Sequence, residues 1–467
     1  MTSQRLEERK MLNFISLINI IILIYFIITA LIYTVLLFGA FPMIVGYFNL
    51  KAYTNYEDIV ENEDLPPVTV IIPMFNEIGL IKDALLSALN SNYKKFYVLL
   101  INDGSTDNSL EFLIEEFKLQ EVPVIIDKKI KTKKVKRAFV SNDYLNLMVI
   151  DKERGGRGDA LNVGVNICFT PYFFSMDADS VIAPTALANL MYEILIRRNG
   201  IAVGGSVYIL NGCKVHDGKI EQSNLPRSYM AGIQSAEYLR SHLFSRTGWN
   251  ILGGTMCYSG TATLYNREAV ISVGGFDKDN YSQDCEIILN LHRRFREKKK
   301  PYTISFNPVA AVWTDVPSTF RAFAKQRDYW RRGLLRSVFS HMIMLFNSNY
   351  KIQGLIGFPV FLFLEILGPY VEFTAYFTVG LSYWYGVLNT ISALLFIVLA
   401  WGFSSLITVA NTFIGIITFN RYRRRSDILM MLAFATLETF GFRQYHVLIN
   451  IYGTFRYAIN RMKGKAL

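Results

Sequence analysis

The chain has 467 residues, 51% of them hydrophobic, and 49 Lys and Arg against 38 Asp and Glu leave a net charge of +11. That length accommodates one large soluble domain plus several membrane spans. Basic residues placed directly beside apolar runs (Arg421, Arg423, Arg424 and Arg425, then Arg456, Arg461, Lys463 and Lys465) mark the cytoplasmic face of a membrane, which excludes nucleic acid as the partner that the charge serves.

In chain order, residues 11–50 carry no charge at all. A spanning helix needs about 20 apolar residues, so this run is one long helix or two short crossings. It is far longer than the apolar core of a cleaved signal and is expected to stay as an anchor. One crossing puts the N-terminus outside and two put it inside; Arg5, Arg9 and Lys10 favour inside.

Residues 51–317 read as a soluble domain. Val68–Ile72, Tyr97–Ile101, Leu147–Ile150 and Tyr172–Met176 have the character of buried strands. Between them, helices are expected over 78–90, over 107–117 and from about Asp159. Such alternation implies an α/β fold with an open, mostly parallel sheet, whose ligands bind beyond the carboxyl ends of the strands. Lys128 to Arg137 holds seven basic residues and reads as an exposed loop. The four cysteines, Cys168, Cys213, Cys257 and Cys285, show no metal-ligand spacing and are expected to be free thiols.

Acidic residues follow three of those strands, in Pro73-Met-Phe-Asn-Glu77, Asn102-Asp-Gly-Ser-Thr-Asp107 and Asp177-Ala-Asp179. Singly, each is a turn or a helix cap; together they argue for a site. Asp177 and Asp179 are two apart, which in extended backbone points both carboxylates one way, towards a shared hard cation such as Mg2+ or Mn2+. Asp284, after the Gly274-Gly275 turn, is either a helix N-cap or a base able to take a hydroxyl proton. Residues 318–347 form an amphipathic segment containing Gln326-Arg-Asp-Tyr-Trp-Arg-Arg-Gly333. It is either a helix resting on headgroups or a lid, with Trp330 stacked on a sugar and neighbouring Arg residues balancing diphosphate charge. Residues 353–460 form a membrane region. From 353 to 420 only Glu365 and Glu372 are charged, enough for two or three crossings, and Ile428–Phe442, with only Glu438, is short enough for a re-entrant element. Acids at such depth either bond neighbouring helices or line a wet cavity; Tyr370, Tyr376, Tyr383 and Trp384 are the aromatic candidates for such a lining.

As a set these motifs resemble the processive family 2 glycosyltransferases, the poly-N-acetylglucosamine, hyaluronan and bacterial cellulose synthases. The resemblance implies a GT-A-like nucleotide-sugar-binding domain, interfacial amphipathic helices and an α-helical transmembrane domain. It implies that Phe75, Glu77 and Asp103 hold uridine, with Arg157 and Asp177 also at the nucleotide. Asp177 and Asp179 match the Asp-x-Asp metal motif, Asp284 matches the catalytic base, and Gln326 and Trp330 match the ends of Gln-x-x-Arg-Trp. Lys152–Asn162 looks like the segment bordering the donor, and Ser259–Thr263 is similar to an acceptor-side segment. Three positions depart from the pattern: Gln283 stands for Glu, Arg157 for Lys, and Tyr329 for the motif's Arg. Arg332 is expected to replace that Arg, with Arg327 and Arg331 as the other candidates. The implied protein sits in the cell membrane with its catalytic domain in the cytoplasm. It would take UDP-glucose or UDP-N-acetylglucosamine, elongate a growing β-glycan, contact the lipid bilayer, and leave room for a small membrane partner subunit. Two other readings stay open: a transferase adding one sugar to a lipid carrier, and an inactive scaffold or nucleotide sensor.

Overall fold

The computed structural model describes residues 2–53, 64–386, 388, 390–398, 402, 404–419 and 424–464. Arg421, Arg423 and Lys465, and the side chains of Arg5 and Arg9, lie outside the described residues. The strands in chain order are β1 (Val68–Met74), β2 (Phe96–Asn102), β3 (Leu119–Val122), β4 (Val135–Ser141), β5 (Leu147–Lys152), β6 (Tyr172–Ser175), β7 (Ser180–Ile182) and β8 (Gly200–Ile209). A small hairpin, β9 (Lys214–His216) and β10 (Lys219–Gln222), follows, then β11 (Thr263–Asn266) and β12 (Thr303–Thr314). Among the described residues, ten of these form one sheet in the order β3-β4-β5-β2-β1-β6-β11-β8-β12-β7.

The four expected strands are the sheet's centre: β5, β2, β1 and β6 are mutually parallel. β11 runs antiparallel to both β6 and β8, so β8 and its parallel partner β12 point the same way as β6. Alternation along β1 divides the core. Val68, Val70 and Ile72 pack with Ile81, Leu85, Leu113 and Leu190 on one face, while Ile71 packs with Leu161, Ile287 and Ile288 on the other. Helices therefore cover both faces, as central strands apolar on both sides require. The basic stretch 128–137 is partly a loop, but its last three residues enter β4, which pairs antiparallel with β5.

The first helix is continuous, Thr2–Tyr53, which selects one long element over two short crossings. Its middle packs on Gln353–Trp384 through the Tyr25 hydroxyl, which donates to the Phe363 carbonyl at 3.2 Å. Its later part reaches the soluble domain, where the Tyr47 hydroxyl donates to Glu193 at 2.5 Å. Among the described residues two helices, Leu12–Tyr47 and Gln353–Trp384, are long and apolar enough to cross a membrane. Shorter helices follow at Thr390–Ile397, Ser404–Phe419 and Arg425–Leu437, with a break at Phe440 and Gly441 before the helix Arg443–Met462. The amphipathic segment is one helix, Phe320–Ser340, whose N-terminus is capped by the Thr319 hydroxyl accepting from the Ala322 amide.

Candidate active site

The acidic loops converge at the carboxyl ends of the central strands. Asp103, just past β2, is buried and wholly engaged by the segment after β5. Its carboxylate accepts from the buried Lys152 ammonium and from the Gly155 and Gly156 amides at 2.9 and 2.8 Å. Gly156 sits at φ 91°, a conformation that glycine adopts freely, and so brings its amide to that carboxylate. Lys152 also pairs with Asp159 at 2.9 Å. Asp103 thus shapes the loop that would border a donor. Phe75, after β1, lies under the Arg154 guanidinium, whose carbon is 3.2 Å from the ring centroid. Arg154 also reaches Asp103 at 3.3 Å. Burial pushes the Glu77 carboxyl up from its ordinary range, with Asp177, Asp107 and Asp315 adding to the effect.

Asp177 and Asp179 lie in a turn between β6 and β7, closed by the Ser180 amide donating to the Asp177 carbonyl at 3.2 Å. They are not in the extended backbone that their spacing suggested. The turn still keeps them together: Asp179 is pushed up to about 7, chiefly by burial, then by the charges of Asp177 and Glu77. Its carboxylate accepts from the Ser180 and Thr314 hydroxyls at 3.1 and 3.2 Å. Among the described residues no group of three or more His, Cys, Asp or Glu is arranged to hold a metal ion. Asp179, which pairs with no cation among the described residues, and Asp177, whose one cationic partner is Arg157, nevertheless fit a hard cation that takes its other ligands from phosphate oxygens and water.

Arg157 links this pair to Asp284. Its Nε donates to Asp177 at 2.7 Å and its Nη2 to the Gly260 carbonyl at 2.9 Å. With the Gln283 amide oriented to satisfy its neighbours, the Gln283 oxygen accepts from Arg157 Nη1 at 2.7 Å. The two departures at 157 and 283 are therefore partners. Asp284 lies at the second position of the helix Gln283–Glu297, inside its first turn rather than at the N-cap, which is Ser282. It accepts from the Gly260 and Cys285 amides at 3.1 and 2.9 Å. Burial raises its pKa, and the opposing charge of Arg157 limits the rise.

The helix Phe320–Ser340 packs across the Asp284 loop. Tyr329 stacks on Tyr281 with centroids 4.1 Å apart, and the Ser282 hydroxyl donates to the Trp330 carbonyl at 3.1 Å. The Arg332 guanidinium pairs with Asp328 at 3.2 Å and lies 5.0 Å from the Tyr281 ring. Arg327 pairs with Glu237 at 2.7 Å and lies 4.6 Å from the Trp330 ring. Arg331 points away, donating to the Glu365 and Ile366 carbonyls at 2.7 and 3.1 Å. Gln326 Oε1 is buried without a hydrogen-bond partner among the described residues. Of the acids within the apolar runs, Glu372 pairs with Arg443 and Glu438 with Arg240, each at 2.5 Å, while Tyr383 and Trp384 are exposed on the outside of the fold. Tyr281 and Asp315 escaped the sequence reading, and Arg154 fell within the donor-bordering segment Lys152–Asn162 without a role of its own. Asp315 follows β12, so the strand-end rule would have found it once that strand was recognised.

Residues 69–274 match the family described as glycosyl transferase family 2, and residues 172–419, more than half of the chain, match glycosyl transferase family group 2. The poly-β-1,6-N-acetyl-D-glucosamine synthase of Staphylococcus aureus (strain MSSA476) is 27% identical over 292 residues, 62% of this chain and 60% of that protein. The synthase of the same name from Staphylococcus epidermidis is 25% identical over 284 residues, 60% of this chain and 58% of that protein. The chain thus spans about 60% of the length of these curated relatives. Among solved structures, the mannosyltransferase PcManGT from Pyrobaculum calidifontis in complex with GDP-Man and Mn2+ superposes with a TM-score of 0.48 at 17% identity, covering 89% of this chain and 98% of that one. TarS 1–349 from S. aureus in complex with UDP gives 0.38 at 15% identity, covering 81% and 91%. By the match across more than half its length, the chain belongs to the family 2 glycosyltransferases, with a GT-A-like α/β domain, and within them it resembles poly-N-acetylglucosamine synthase.

Proposed function

We propose that this protein is an inverting, membrane-embedded transferase that uses a UDP-sugar to extend a β-linked polysaccharide on the cytoplasmic face of the cell membrane. The observation that carries the reading is the bridge made by Arg157, which holds Asp177 directly and Asp284 through Gln283 and Gly260. Asp284 takes the proton of the acceptor hydroxyl as that oxygen attacks the anomeric carbon. A carboxylate with its pKa raised by burial is a better proton acceptor than one in water. A single displacement inverts the anomeric centre, so an α-linked donor gives a β-linked product. Arg157 stays beside the leaving diphosphate and takes up part of its charge. Asp177 and Asp179 would hold Mg2+ or Mn2+, which when bound neutralises charge on the diphosphate. UDP-N-acetylglucosamine is the favoured donor, on the likeness to the staphylococcal synthases.

The test is UDP release by purified protein across a panel of UDP-sugars, with linkage analysis of the product. Asp284→Asn is expected to lower turnover at least a hundredfold, in the range typical of a lost general base, and to leave UDP binding intact. Loss of UDP binding by that variant removes Asp284 from the role of base. Chelator is expected to stop turnover, and Mg2+ or Mn2+ to restore it.

A further inference from the structure

A second hollow lies at the opposite ends of the strands from Asp177, where β12 begins. There a cavity of about 890 Å³ opens between the start of β12, the end of the Asp284 helix and the turn Ser348–Tyr350. Arg198, Arg296, Lys299, Lys300 and Lys351 line it. A neighbouring cavity of about 570 Å³ shares Arg198 and Lys300. The size suits a small polar ligand.

The charges in its wall are mostly uncommitted. Among the described residues, Arg198, Lys299, Lys300 and Lys351 pair with no carboxylate. The wall's own acid, Glu297, is turned to Arg293, Arg294 and the Tyr350 hydroxyl at 2.8, 3.0 and 3.1 Å. Arg296 is fixed in place by Gln353 Oε1 at 3.0 and 2.7 Å and by the Tyr302 ring, 4.9 Å from its guanidinium carbon. Four free cations facing one hollow repel one another, an arrangement that an anion relieves.

The backbone gives a second, independent sign. Lys299 and Lys351 both sit at φ 53°, and Asn199 in the same wall sits at φ 59°. Lys351 combines that φ with ψ −138°, a region almost confined to glycine. Lys299 holds the left-handed position just past a helix end, where glycine is the usual residue. At two positions where glycine is conformationally cheapest, the chain carries lysine. Strain retained in a ligand-sized hollow is a mark of function.

We propose that this cavity binds a phosphate-bearing anion, gripped by Lys299, Lys300, Lys351 and Arg198 through charge-assisted hydrogen bonds. It is separate from the donor site. β12 begins at Thr303 in the cavity wall and ends at Thr314, whose hydroxyl bonds Asp179, which puts the two roughly 30 Å apart at strand rise. Lys351 stands two residues before Gln353, the first residue of a helix long enough to cross a membrane. The phosphate can therefore arrive on a lipid headgroup or free in the cytoplasm.

The experiment uses the full chain, wild type and the Lys299→Gly/Lys351→Gly variant, with UDP present throughout to occupy the donor site. One arm titrates inorganic phosphate into protein in neutral detergent, at constant ionic strength in chloride. The other compares melting temperature in nanodiscs of phosphatidylcholine with that in nanodiscs containing phosphatidylglycerol. Glycine relaxes both strained positions, so the variant alone is expected to melt no lower than wild type. It is expected to bind phosphate at least about tenfold more weakly, the cost of losing charge-assisted bonds, or to lose the extra stability given by phosphatidylglycerol. A variant-sensitive response in the first arm identifies a soluble anion, and one in the second a headgroup. Equal responses of variant and wild type in both arms overturn the proposal. Arg198→Gln, in the opposite wall, provides the same comparison if the double variant does not fold.

Discussion

On the reading in which Phe75 holds uracil, Arg154 decides how its ring is met. With its guanidinium carbon 3.2 Å from the ring centroid and its Nη1 3.3 Å from Asp103, it covers the face that a uracil would use. An exposed cation–π contact is worth about 0.5–1 kcal/mol, small enough for a stacking base to displace. Arg154→Ala is therefore expected to tighten UDP binding by about twofold to fivefold, read by calorimetric titration. Weaker binding instead would make Arg154 a clamp on the nucleotide. A second residue sets acid tolerance. His292 is buried, facing the Tyr302 hydroxyl at 2.9 Å and the Thr255 carbonyl at 3.2 Å, and burial lowers its pKa to about 4. The unfolded chain takes up a proton near 6.5, so at mildly acidic pH the unfolded state binds more protons than the folded one. The stability is whole above 6.5 and is lost as pH falls towards 4, by about 3 kcal/mol from this group. Thermal melts across that window are expected to show the drop, and His292→Gln to flatten it. His242, also lowered by burial, keeps a residual slope in the variant.

At the scale of elements, the contact between the helix Phe320–Ser340 and the Asp284 loop depends on Gly333. A Cβ at that position would lie 2.4 Å from the Ser282 amide nitrogen, a backbone atom that cannot swing away. In a free helix Gly→Ala gains about 1 kcal/mol, whereas overpacking costs about 1–3 kcal/mol. Gly333→Ala is thus expected to lower the melting temperature and, by shifting the loop two residues before Asp284, to lower turnover more than UDP affinity. A variant that melts higher would show that the loop yields. None of this was legible in the sequence, because Tyr281 and Tyr329 are 48 positions apart and no periodicity connects them. The strands were legible for the opposite reason. Val68–Ile72 is apolar but for the buried Thr69, and Val98–Ile101 is an unbroken apolar run; both are buried between covering helices. β4 was hidden because its first residues, Val135-Lys-Arg137, continue a basic run and lie at the exposed side of the sheet. Asp177 and Asp179 were found through a spacing argument whose backbone differs: the turn, not an extended strand, sets their geometry.

Across the whole molecule, the sheet's acidic edge and the apolar helices are joined by arginines. Arg331 reaches from the amphipathic helix to the carbonyls of Glu365 and Ile366, Arg456 reaches back to Asp328 at 2.6 Å, and Arg240 pairs with Glu438. The sequence pointed to the membrane acids as unusual, since charge within apolar runs is costly. It could not reveal that Glu438 finds its partner almost two hundred positions earlier, because only the folded chain brings them together. This pairing separates two roles for Glu438. If it is a brace between the soluble domain and the C-terminal helices, Arg240→Ala strands a buried carboxylate, at a cost of about 3–5 kcal/mol. Stability then falls, and turnover falls with it. The exchange Arg240→Glu/Glu438→Arg is expected to recover most of both, because it restores opposite charges across the same contact. If Glu438 instead lines a glycan path, the exchange recovers stability but not product length, because a cation then stands where the path had an acid. Melting temperature and product length measured on the same three proteins distinguish the two. The 2.5 Å contact, with the carboxylate buried, favours the brace.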